Sequence, residues 1–191
     1  VPGTIEVKMI YVISGTNRPG SRTRQVSEHV LNKLKAHGAN AEIIDLAQLP
    51  FHTLTGAEYS GSGLDPAFKT AIEKIDSSAG LVIVTPEYNG SMPGALKYFI
   101  DHWSYPKSFE YRPVAFVGLG FRWGGLRPVE HLQQVFNYRN AFIFPERVFI
   151  MNITDALKDG QIVDQNVNDL LDKQARGFTK WCQTPLVTTV R

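Results

Sequence analysis

The sequence predicts an α/β protein of three layers, a five-stranded parallel sheet covered by helices on both faces. Three observations carry that expectation. Short apolar runs of strand length alternate five times with patterns of helical period. Parallel strands need crossover connections, and amphipathic helices supply them. Loops rich in Gly, Pro and Ser follow the first, third and fourth runs, where open α/β sheets keep their ligands.

The elements follow in order. Glu6 to Ser14 (EVKMIYVIS) reads as a mostly buried strand, and Gly15 to Arg22 as a loop. A helix begins near Thr23, with Val26, Val30, Leu31 and Leu34 on one face, and ends at His37-Gly38. Ala41 to Leu46 is the second strand. Pro50 to Asp65 has no periodicity, and a stretch of that length marks a functional loop, an interface or disorder. Asp65 is placed to cap a short helix whose apolar face is Phe68, Ala71, Ile72 and Ile75. The run ending at Pro86 is the third strand, and Leu96, Phe99, Ile100 and Trp103 repeat at helical spacing after it. Asn89-Gly90 alone suggests a hairpin turn, but the helical period downstream argues against one. Pro113 to Gly118 is the fourth strand, and Leu126 to Tyr138 a helix. Ala141 to Phe144 and Arg147 to Ile150 form a last strand broken by Pro145. A helix from about Val163 to Trp181 and a loose tail of about ten residues close the chain. With no repeats or low-complexity linkers, residues 1–191 read as one domain. Five such strands suggest the flavodoxin-like order 2-1-3-4-5, with its switch point between the first and third strands.

Bulk properties narrow the chemistry. The hydrophobic fraction is 43% and the charged fraction 20%, ordinary for a globular protein. A net charge of +2 is too small to argue for nucleic acid. Cys182 is the one cysteine, so neither an internal disulfide nor a thiolate cluster can form, which suits a cytoplasmic setting. No apolar run approaches a membrane span. The five histidines have no metal spacing, and Ser91 lies in G-S-M-P-G rather than in a nucleophile elbow.

The three loops divide the remaining chemistry. The first, S14-G-T-N-R-P-G-S-R-T23, offers hydroxyls, two guanidinium groups and the start of a helix, which together make a phosphate cradle. It is neither a P-loop nor a dinucleotide fingerprint. The second, Pro86 to Pro93, carries no Lys or Arg, so it suits a flat heteroatom-rich ring better than a phosphate. Glu87 there either faces the ligand or, as the favoured reading, pins the loop by accepting backbone N–H bonds. The third, G118-L-G-F-R-W-G-G125, nearly matches G-x-G-x-x-G but has one residue too many, and no acidic residue follows at the required distance.

The segments S14-G-T-N-R-P-G-S-R-T23 and T85-P-E-Y-N-G-S-M-P-G-A-L-K97 resemble the NADPH-dependent FMN reductase family, which includes azoreductase-like, quinone-reductase-like and chromate-reductase-like flavoproteins. The resemblance runs from about Met9 to the last helix. It implies bound FMN, NADPH (with NADH as the alternative) as electron donor, and a homodimer or homotetramer. It implies that Thr16, Arg18, Ser21, Arg22 and Thr23 hold the FMN phosphate. Pro86, Glu87, Tyr88, Asn89, Gly90 and Ser91 would then lie along the isoalloxazine, with Gly120 and Trp123 contributed by the third loop. The expected activity is hydride transfer from NADPH to FMN and then passage of two electrons to a quinone, azo compound, metal oxyanion or flavin, with no dedicated acid-base side chain. A 2′-phosphate would need a cation, and Arg22, Lys107, Arg112 and Arg122 are the choices. The rivals are a flavodoxin-type electron carrier and a flavin-binding partner protein without turnover; the arginines of the first loop argue against the carrier.

Overall fold

Five strand positions lie side by side in the chain order 2-1-3-4-5, all parallel, as expected from the alternating pattern. The computed structural model describes residues 9–54 and 63–184. Residues 6–8 of the first expected strand, residues 55–62 of the unpatterned loop and the tail from residue 185 lie outside the described residues. The central strands are β1 (Ile10–Ser14), β3 (Gly80–Pro86) and β4 (Pro113–Leu119), with β2 (Ala41–Asp45) at one edge. The last position holds two short strands, β5 (Phe142–Ile143) and β6 (Val148–Ile150), both paired to β4. The helices are α1 (Arg22–Ala36), α2 (Pro66–Ser77), α3 (Gly94–Asp101), α4 (Leu126–Tyr138), the single turn α5 (Ile153–Ala156) and α6 (Gln165–Cys182). A small antiparallel hairpin, β7 (Leu157–Lys158) and β8 (Gln161–Ile162), precedes α6.

Side-chain alternation splits the core in two. Val12, Val82, Val84, Ala115 and Val117 pack towards α1 and α6, while Ile13, Leu81, Ile83, Val114 and Phe116 pack towards α2, α3 and α4. Both faces are covered, so the strand interiors are apolar throughout. The expected cap is in place, Asp65 accepting from the Ala67 N–H at 2.8 Å; Asp164, not foreseen as a cap, accepts from the Val167 N–H at 3.1 Å. Trp103, which closes the helical repeat after the third strand, is buried among Phe99, Phe109 and Phe136.

Two buried polar side chains hold the frame where backbone pairing stops. The break at Pro145 takes the last strand out of the ladder, and Gln174 of α6 fills it: its Nε2 donates to the Phe116 carbonyl at 2.9 Å and the Glu146 carbonyl at 2.8 Å. Arg112, fully buried, donates to the carbonyls of Ser108, Ser78, Asp76 and Lys107. Two of those acceptors, Asp76 and Ser78, lie at the negative end of α2, where a cation is favoured. Arg112 is therefore spent on the frame.

Candidate functional site

The strand order places the loop after β3 between the loops after β1 and β4. All three line one cleft of about 720 Å³ at the carboxyl end of the sheet. Among the thirteen residues named from the sequence, the cleft is lined by Arg18, Ser21, Arg22, Thr23, Pro86, Glu87, Tyr88, Asn89, Gly90, Gly120 and Trp123. Thr16 and Ser91 do not line it.

The first loop is built to offer donors. Ser21 caps α1, its Oγ accepting from the Arg24 N–H at 3.2 Å. The Arg22 and Thr23 N–H groups of the first turn meet no acceptor among the described residues, which is the ordinary state of a helix start and gives it anion affinity. The Arg18 and Arg22 guanidinium groups have no carboxylate within 4.0 Å among the described residues. Thr16 is fully buried; its Oγ1 lies 3.1 Å from the Tyr88 hydroxyl and accepts from the Arg18 N–H at 3.3 Å. It ties the first loop to the second.

The second loop is a tight turn after all. Tyr88 and Ser91 exchange backbone hydrogen bonds of 2.9 and 3.1 Å, with Asn89 at φ 51° and Gly90 at φ 75° between them. Two consecutive left-handed residues make a type I′ turn, the conformation Asn-Gly favours. The expectation that the downstream helix excludes such a turn is corrected: the helix starts at Gly94, three residues beyond Ser91, and leaves room for both. The turn uses the N–H groups of Tyr88 and Ser91, and leaves those of Asn89 and Gly90 without acceptors among the described residues. Glu87 does not accept from the loop; its carboxylate faces Arg127 of α4 at 3.6 Å. One turn along α4, His131 Nδ1 lies 2.8 Å from Ser91 Oγ.

The third loop is tied on both sides. The Glu87 N–H donates to the Leu119 carbonyl at 3.1 Å, and the Gly120 N–H to the Ile150 carbonyl at 3.1 Å. Gly125, at φ 79°, turns the chain into α4; a Cβ there would stand 2.5 Å from the Leu119 nitrogen and 2.8 Å from the Gly118 Cα. Phe121, Arg122 and Trp123 are left at the rim, 65% and 48% exposed for the two aromatics. The Arg122 guanidinium lies 5.1 Å from the centre of the Trp123 ring.

Sequence reasoning missed one wall. Leu157, Asp159 and Gly160 close the cleft beside α1, where the His29 Nε2 lies 2.8 Å from the Gly160 carbonyl. Asp159-Gly160 between Leu157 and Ile162 is a hairpin signal in plain view. Leu119, Phe121, Arg122, Ile153 and Gln25 also line the cleft. Lys107, by contrast, lies 3.7 Å from Asp76 and is no part of it. Among the described residues no group of three or more His, Cys, Asp or Glu could hold a metal ion, and no helix is long and apolar enough to cross a membrane.

A phosphate-type loop, a cation-free turn with free donors and a doubly wound parallel sheet define a flavodoxin-like mononucleotide protein. The chain belongs to the NADPH-dependent FMN reductase family, whose model matches residues 9–155. It is 28% identical over 174 residues to an NAD(P)H-dependent FMN reductase of Pseudomonas aeruginosa, covering 88% of this chain and 92% of the relative. It is 30% identical over 132 residues to an FMN-dependent NADPH-azoreductase of Staphylococcus saprophyticus, covering 65% and 66%. Two solved structures share the fold: an NAD(P)H:acceptor oxidoreductase of Paracoccus denitrificans (TM-score 0.73, 20% identity, 93% and 98% covered), and an NADH:FMN oxidoreductase (TM-score 0.77, 19% identity, 94% and 93% covered). The protein is an FMN-dependent NAD(P)H oxidoreductase, with FMN and NADPH as its cofactors.

The cleft fits FMN on its own chemistry. The Ser14 hydroxyl at the end of β1 is buried with no partner among the described residues, and a Cβ at Gly20 would meet open space. Gly20 lines the cleft next to Arg18 and Arg22, so open space lies beside both guanidinium-bearing residues; Ser14 does not line it.

Proposed function

We propose that the cleft seats FMN with its phosphate on the first loop and its ring along the second, and that a quinone, azo compound, metal oxyanion or free flavin is the acceptor. Thr23, Ser21 and the first-turn N–H groups of α1 surround the phosphate, with Arg18 and Arg22 as its cations. Tyr88 lies beside the ring, and the Asn89 and Gly90 N–H groups point at its heteroatoms, where oriented donors stabilise negative charge. Gly120 and Trp123 border the ring from the third loop. When bound, FMN supplies the redox chemistry, taking two electrons from the nicotinamide and passing them to the acceptor. The protein binds, orients and leaves one face of the ring open to each substrate in turn.

The observation that carries this reading is the meeting of two unlike loops in one cleft: unpaired arginines and helix donors on one side, a cation-free turn with two unused N–H groups beside it. Titration of the purified protein with FMN, followed by flavin absorbance, tests it. Arg18→Ala should weaken FMN binding by about 10–100-fold, the worth of one charge-assisted hydrogen bond. Unchanged affinity in that variant would show that the phosphate lies elsewhere. A flavin-loaded protein that fails to oxidise NADPH with a quinone present is an electron carrier or a binding protein.

The same reading has the enzyme work in the cytoplasm as a homodimer or homotetramer. Supporting the assembly is a groove between α3 and α4, where Arg139 lies 4.6 Å from the Tyr105 ring and both Tyr105 and Tyr138 are exposed. Light scattering reads the mass directly, and a monomer would refute it.

A further inference from the structure

The cleft holds more cationic charge than one phosphate needs. Arg18, Arg22 and Arg122 line it, and none has a carboxylate within 4.0 Å among the described residues. Arg18 and Arg22 share the first loop. Arg122 stands on the third, and β3 separates the strands that carry the two loops. Strand spacing of about 4.8 Å puts those strands about 10 Å apart. A phosphate held at the start of α1 leaves Arg122 unused.

Its surroundings say what it would meet. The guanidinium lies over the Trp123 indole, held in place by the ring rather than by an anion. Phe121 beside it is 65% exposed and Trp123 is 48% exposed, at the mouth of a concave site. Exposed aromatics next to an unpaired forked cation suit a flat ligand that carries an acid. Two cations also named from the sequence are placed elsewhere, Arg112 buried in the frame and Lys107 near Asp76, while Arg127 faces Glu87.

We propose that Arg122, with Trp123 and Phe121, forms an anion-reading subsite for the exchangeable substrate, taking a phosphate, sulfonate or carboxylate carried on a flat aromatic molecule. The inference rests on the reading that FMN occupies the cleft with its phosphate on the first loop. The anion belongs either to the nucleotide donor, as its 2′-phosphate, or to an acidic acceptor, and the guanidinium recognises the same chemistry in both.

The test measures dissociation constants on the FMN-loaded protein by the perturbation of flavin absorbance, without turnover. One arm compares NADP+ with NAD+; the other compares naphthalene sulfonate with naphthalene sulfonamide, alike in ring and shape but not in charge. Arg122→Ala should cut the preference for the charged member by about tenfold in at least one arm, the lower range for a charge-assisted bond at an exposed rim. A loss in the first arm alone identifies the 2′-phosphate, and a loss in the second alone an acidic acceptor. Trp123→Ala should weaken the sulfonate and the sulfonamide alike, by about fivefold. The FMN dissociation constant of Arg122→Ala should stay within about twofold of the parent, because Arg122 is exposed and remote from the first loop. Unchanged preferences in both arms would overturn the proposal, and so would release of FMN by Arg122→Ala, which would make Arg122 a flavin ligand. A parent protein that takes up no FMN strikes the underlying reading first and the subsite with it.

Discussion

The hydrogen bond between Thr16 and Tyr88 joins the two loops across 72 residues of sequence, and its removal should be felt by both. Tyr88→Phe deletes one hydroxyl. Thr16 Oγ1 keeps the Arg18 N–H at 3.3 Å, so no buried acceptor is stranded, and the cost should be about 0.5–1 kcal/mol. Thr16→Val removes a fully buried hydroxyl that serves both partners; with the Arg18 N–H also released, the cost should be about 1–2 kcal/mol. The double variant loses the shared bond once rather than twice. Its cost should therefore fall short of the sum of the singles by about 0.5–1 kcal/mol. Urea unfolding of the flavin-free protein, followed by circular dichroism, measures all four corners of the cycle. An unchanged slope against denaturant shows that each variant unfolds from the same compact state. Costs that add to within about 0.3 kcal/mol would refute the coupling. The two loops would then be neighbours in space with no energetic tie, and the reasoning that makes them one prebuilt site would fail.

Three further outcomes follow from the frame. Gln174→Leu leaves the buried carbonyls of Phe116 and Glu146 without their donor, and should cost about 3 kcal/mol, seen as a fall in Tm of about 6–12 °C; a fall under about 2 °C would show that the bridge adds nothing. Gly125→Ala combines φ 79° with a Cβ 2.5 Å from the Leu119 nitrogen, and should cost at least about 3 kcal/mol by thermal melting while also weakening FMN binding. The hydrogen bond from His37 Nε2 to Asp172, 3.0 Å long, holds the Asp172 carboxyl below its ordinary range, with nearby Lys33 helping. A lowered carboxyl stabilises the fold above its unfolded value of about 3.9 and ceases to as pH falls through the lower folded value. Asp172→Asn should thus be slightly less stable than the parent at pH 6 and equal to it in strong acid; the pair is half-exposed, so the gap is small. A gap that widens below about pH 4 would contradict the assignment.

What the sequence made legible follows from which forces are local. Buried runs and amphipathic periods are dictated by the core, so the strand order and most helix ends could be read, α4 to the residue. Asn89-Gly90 shows where local reasoning went astray. A turn and a helix compete in the local pattern, yet the two residues between Ser91 and Gly94 leave room for both. The hairpin at Leu157–Ile162 is hard to read because its strands are two residues each, too short to show period 2. Asp159-Gly160 was its one mark. The pairing of Glu87 with Arg127, and of Ser91 with His131, could not be read at all. Each joins a loop to a helix about forty residues on, and nothing in the spacing says which face of that helix turns inward.

Those two pairings also brace a loop with no cation of its own beside a first loop that has two. A guanidinium within the turn would crowd the N–H groups of Asn89 and Gly90, which have no acceptor among the described residues. Supplied from α4, Arg127 approaches Glu87 from the helix side, and a Cβ built on Gly90 would lie 3.7 Å from the Arg127 Cδ. Arg127 thus pairs with Glu87 from the α4 side, and the turn itself contributes no cation to the cleft. The same logic sets the limits of substitution. A cation placed at Asn89 or Gly90 would add attraction for any anion in the cleft, but would blur the separation between the end that holds charge and the end that addresses a ring. The I′ geometry enforces that separation by itself, because left-handed φ values at both positions favour Asn and Gly over the long basic side chains.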